Sequence, residues 1–151
     1  MTEILTRTLA AGIGTVAFSL LFGVPKKYDA YCGFIGGAGW FAYEILTTCA
    51  GLTVTEATFF ATVLVVLLSR FAAVREKCPA TVFQITGIFP LVPGAGIYWT
   101  SYYLVTGQQG AAMHSGFMAL KAAFAIVLGI IVVFELPYGL FRIGFPLKNK
   151  K

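Results

Sequence analysis

Few residues in this chain can do chemistry, and those few lie in apolar surroundings. Glu44 is a lone carboxylate well inside the apolar run 31–52. A charge at that depth is costly and faces the interior of a helix bundle, either paired or protonated. Glu44 is therefore a candidate proton carrier. The competing reading is a structural ion pair with Arg7 or Lys121, each about one turn from the end of an apolar run, where long stems can carry the charge to the surface. Glu44, Lys121 and Arg7 form the candidate charge-coupling set. No serine or cysteine stands with a base in a nucleophile pattern, so no catalytic residue is assigned and an intramembrane enzyme is disfavoured. Cys32, Cys49 and Cys78 have no metal-type spacing and read as free thiols, with no metal and no cofactor expected. His114 falls in a polar segment and draws no role.

The second chemical feature is made of backbone. The stretch 79–99, PATVFQITGIFPLVPGAGIYW, is apolar yet carries Pro79, Pro90 and Pro93 with Gly87, Gly94 and Gly96. Proline removes a backbone donor and clashes with the preceding turn. Backbone groups freed in hydrocarbon must be satisfied by protein or water. Secondary transporters use such interrupted helices to bind substrate near the bilayer midplane. A half-helix over 80–89 would end there with free carbonyls, and one beginning after Gly96 would offer free N–H groups. The positive end suits a carboxylate and the carbonyl end an ammonium or hydroxyl. Thr86, Gly87, Pro90, Pro93, Gly94, Gly96 and Tyr98 are the candidate substrate-binding residues.

The rest of the chain must place these groups in a bilayer. Of 151 residues, 58% are hydrophobic and 11% charged, where a soluble domain carries about a quarter charged residues. The pattern predicts an all-α integral membrane protein, a single transmembrane domain over 1–151 with about five helices. The expected spans are 4–22, 31–52, 57–74, 80–105 broken near 87–96, and 117–138, with a polar loop over 106–116. Gly33 and Gly37 form a G-x-x-x-G pair that lets a second helix approach closely. The +5 net charge does not indicate nucleic acid, because the basic residues flank apolar runs and form no stripe with aromatics.

Those basic residues set an orientation. Lys26, Lys27, Arg70, Arg75, Lys77, Arg142, Lys148, Lys150 and Lys151 gather in three segments, while 53–56 and 106–116 carry no Lys or Arg. The positive-inside rule then puts the N-terminus outside and the C-terminus in the cytoplasm. That parity requires one discontinuous crossing over 80–105, not a re-entrant loop.

The residues 79–83, PATVF, and 87–98, GIFPLVPGAGIY, resemble the threonine/serine exporter family, in its short membrane-only form. So do 22–28, FGVPKKY, residues 36–40, and Ser69-Arg70. The similarity covers most of the chain, and Pro90-Leu91-Val92-Pro93-Gly94 is its most specific element. Thr86 stands where the family often has proline. The resemblance implies a multi-pass inner-membrane exporter subunit that works with a longer homologous partner subunit and lipid. Threonine, serine or related small metabolites are its implied cargo, with a dicarboxylate such as succinate as the alternative. A non-transporting assembly subunit, using its glycine faces for packing alone, is the reading from a different class.

Overall fold

The computed structural model describes residues 2–136. The expected end of the last span at Tyr138 and the basic residues Arg142, Lys148, Lys150 and Lys151 lie outside them. Six α-helices form among the described residues, with no strand: α1 (Thr2–Leu21), α2 (Asp29–Thr48), α3 (Val54–Glu76), α4 (Thr81–Ile88), α5 (Gly94–Val105) and α6 (Gln109–Phe134). Short 3-10 turns at Lys26–Tyr28 and Phe89–Leu91 lead into α2 and out of α4. The protein is an all-α membrane protein. Three helices, α1, α3 and α6, are long and apolar enough to cross a bilayer, and α4 with α5, bent by 50°, supplies a fourth candidate. Helix α2 is as long as α1, 20 residues each, but is not among these candidates; α1 and α3 cover it on two sides.

Small residues set the packing. Helices α1 and α2 run antiparallel, with Gly12 against Gly33 and Gly37: a Cβ on Gly12 would stand 3.2 Å from the Gly33 carbonyl oxygen. The seam is closed at one end by Arg7 and Glu44, and at the other by the Ser19 hydroxyl donating to Asp29 at 2.6 Å. Helix α3 runs antiparallel to α2, with the Tyr31 hydroxyl on Glu76 at 3.0 Å. Gly39 meets Val65 midway along that seam. Helix α6 runs parallel to α3, with Gly129 against Thr62 and the Phe59 carbonyl. Helix α5 runs antiparallel to α6, with Gly96 on Ala119 and Gly116 on Thr100.

Helix α4 lies parallel to α2 and packs on α2 and α3. Phe83 sits edge-on to Tyr28, and Gly87 presses on Ile35 and Val65. Together these registers fix the sense of the interrupted segment. Helix α4 follows α2, and α5 opposes α6, which itself follows α3. The chain therefore keeps one direction through the bend.

Two expectations are corrected here. The polar loop over 106–116 shrinks to three residues, because α6 begins at Gln109. Gly107 has φ +75°, a left-handed conformation that costs glycine little. It lets the Gln108 N–H donate to the Tyr103 carbonyl at 2.9 Å, the bond that ends a helix in a tight Schellman-type turn. Ala111, Ala112 and Met113 are good helix formers, so His114 stands on a helix.

Arg70 is the second correction. It was expected among the flanking cytoplasmic charges, yet it lies within α3, 7% exposed. Its Nη1 donates to the Val133 carbonyl at 2.6 Å and the Leu136 carbonyl at 3.1 Å, and its guanidinium lies over the Phe134 ring. A cation at a helix C-terminus meets the negative end of the helix dipole. Arg70 thereby fixes the end of α6 to α3. Arg70→Ala takes the guanidinium donor from both carbonyls, of which Val133 keeps the Leu136 N–H at 3.2 Å, a loss of about 1–3 kcal/mol. We expect a lower melting temperature in detergent, with only partial recovery in Arg70→Lys. An unchanged melt would show that the contact is dispensable.

Candidate functional site

The break between α4 and α5 follows from its two prolines. In a continuous helix the Thr86 carbonyl would receive the N–H of residue 90, which proline lacks. The Phe89 N–H takes it instead. The Phe89 carbonyl would receive the N–H of residue 93, also a proline, and the Val92 N–H takes it at 3.2 Å. Each missing donor is thus replaced by the residue before it, and the α-helix tightens into a 3-10 turn. The Gly94 N–H then donates to the Val92 carbonyl at 2.7 Å, and α5 starts in a new direction.

This leaves backbone groups open at the bend. Among the described residues, the carbonyls of Pro90 and Leu91 receive no backbone N–H. The N–H groups of Ala95 and Gly96 fall in the first turn of α5, where a helix offers no internal acceptor, and none from outside reaches them. Acceptors and donors therefore lie within a few residues of one another. Gly94 and Ala95 are exposed, and Pro93 is half-exposed. A Cβ on Gly94 would meet nothing within 4 Å.

The seven predicted substrate residues divide by surroundings. Thr86 is 1% exposed, with its hydroxyl donating to the Phe83 carbonyl at 3.1 Å. Gly87 is buried against Ile35 and Val65, and a Cβ on Gly96 would stand 2.9 Å from that of Ala119. These three shape the backbone through packing. Pro90 and Pro93 make the turn, Gly94 is open, and Tyr98 is 62% exposed with its ring against Trp99.

The charged set resolves in favour of one partner. Glu44 is buried, with Oε1 3.4 Å from Nη1 of Arg7, whose side chain is 62% exposed. Lys121 is exposed on α6 with its ammonium over the Phe117 ring. On α2, Trp40 stands one turn before Glu44, its ring tilted against that of Tyr43, and its buried indole N–H has no partner. The Thr8 hydroxyl, next to Arg7, is likewise buried without one. Gln84, 8% exposed with an unpartnered Oε1, escaped the sequence reading. Its signal was available, since it is the lone amide in an otherwise apolar half-helix.

A family model described as Threonine/Serine exporter, ThrE, matches residues 7–135, which include the whole break. The chain belongs to the ThrE family. It is also 27% identical over 135 residues to an uncharacterized protein of Haemophilus influenzae, an alignment covering 87% of this chain and 45% of that protein. This ThrE chain thus spans less than half the length of that curated relative. No solved structure matches it.

Proposed function

We propose that this ThrE chain is one unit of a secondary transporter that exports threonine and serine across the inner membrane with a longer homologous subunit. Family membership carries the cargo class. The open backbone at the bend supplies a chemical means. A substrate carboxylate meets the Ala95 and Gly96 N–H groups at the positive end of α5, and its ammonium or hydroxyl meets the Pro90 and Leu91 carbonyls. Pro93, Gly94 and Tyr98 border this position, and Thr86, Gly87 and Gly96 hold the backbone that forms it. Glu44, with Arg7, is the group that couples transport to protons.

The same two N–H groups would receive one carboxylate of a dicarboxylate, so the decisive assay carries threonine, serine and succinate in parallel. Vesicles holding this chain with its partner are expected to move threonine and serine, and vesicles holding either alone are not. Flux from the partner alone, unchanged by this chain, would make it an assembly subunit. Movement of succinate in preference to both amino acids would reassign the cargo.

The orientation belongs to the same reading. The turn with Lys26 and Lys27 and the end of α3 with Arg75 and Lys77 share one end of the bundle, assigned to the cytoplasm by the positive-inside rule. In a chain with its native cysteines replaced (Cys49 is exposed), Gln108→Cys should react with an impermeant maleimide added outside. Lys27→Cys should not. Reaction of both from one side would overturn the orientation.

A further inference from the structure

Helix α5 is the one helix among the six with no buried residue. It packs chiefly on α6 through Gly96 and Thr100. Trp99 and Tyr102 are 46% and 45% exposed. Beside it runs a groove of about 300 Å³, with Pro93, Ile97 and Ser101 on one wall and Gly116, Ala119 and Ala123 on the other. Small residues of this kind let another helix approach closely. The groove begins at the open end of α5, where the Ala95 and Gly96 N–H groups lack acceptors. Lipid tails cannot satisfy them, and irregular backbone at membrane depth persists only where protein or water covers it.

We infer that the bare side of α5 and this groove dock a second protein unit, the counterpart of the part of the Haemophilus influenzae relative that this chain does not span. The inference rests on the transporter reading above, and it places the substrate position at the junction of the two units. A second copy of this chain fits worse. A symmetric pair joined here would bring the same surface from each copy, set two positive helix ends side by side, and leave the donors unpaired. The relative, by contrast, carries more additional chain than the part it shares, 45% of its length being matched.

The test uses the full chain in its native host, with p-benzoylphenylalanine in place of Tyr102 and, as control, in place of Phe60, which is 51% exposed on α3. After irradiation, the Tyr102 position should give an adduct that mass spectrometry identifies as a protein aligning with the unmatched part of the relative. The Phe60 position should give none. A Tyr102 adduct at about twice 16.2 kDa containing only this chain, an adduct with an unrelated protein, or no protein adduct would each overturn the docking surface. Threonine and serine export by the unsubstituted strain is measured in parallel. Export without the adduct removes the docking surface alone, whereas absence of export removes the transporter reading.

Discussion

Gly94→Leu is expected to lower cargo export at least about tenfold while the protein inserts and melts as the parent does. The position tolerates a side chain structurally: a Cβ there meets nothing within 4 Å, and the backbone is outside the left-handed region that favours glycine. The leucine would stand at the first residue of α5, beside the Ala95 and Gly96 N–H groups proposed to hold the carboxylate. Gly96→Leu is the necessary contrast. Its Cβ would lie 2.9 Å from that of Ala119, so the side chain must push α5 away from α6. Overpacking of this kind costs about 1–3 kcal/mol, and both export and melting temperature should fall. Ala95→Leu, at an exposed position that already carries a Cβ, should fall between the two in export and leave the melt unchanged. Thermal melts in detergent and flux in vesicles, on matched protein amounts, separate the three. Full export by Gly94→Leu would remove the bend as the substrate position.

Much of this arrangement was legible in the residues, for identifiable reasons. Prolines at 90 and 93 forbid particular backbone bonds, so the bend could be placed within a few residues. Long apolar runs fix helix existence far better than helix ends. The loop over 106–116 was misjudged because His114, Ser115 and two glutamines make it polar, while only Gly107 among its residues ends a helix. Arg70 was misread because a basic residue near the end of an apolar run resembles a topology signal. Its carbonyl partners, at the end of α6 and just past it, are more than sixty positions away, and no local pattern reports such a contact. The glycines were ambiguous in the same way. Gly87, Gly94 and Gly96 look alike in sequence, yet two bear on neighbouring helices and one is open. Tertiary packing makes that distinction. Gln84 carries a fainter signal than a breaker or a charge, although a lone amide in an apolar segment is also expensive to bury without a partner.

Glu44→Gln is expected to abolish export driven by a pH gradient while leaving exchange of cargo for cargo. The expectation rests on a buried carboxylate held by one contact of 3.4 Å. Its partner Arg7 is 62% exposed, so the guanidinium can leave for water or headgroups without crossing the bundle. A pair that opens in this way would let Glu44 serve as the proposed proton carrier, protonated in one facing state and paired with Arg7 in the other. Glutamine keeps the size and removes the proton site. Exchange needs no net proton movement and should survive. If the pair serves only to hold α1 to α2, the outcome differs: Glu44→Gln and Arg7→Gln would lower the melting temperature and reduce both activities together, because each unpairs a charge or polar group in the α1–α2 seam. Arg7→Gln therefore completes the argument. With Glu44 as carrier, it leaves the carboxylate in place and should shift the pH dependence of export without abolishing it. The measurement compares gradient-driven flux with counterflow in vesicles containing this chain and the proposed partner. Undiminished gradient-driven export by Glu44→Gln would remove Glu44 as the proton carrier.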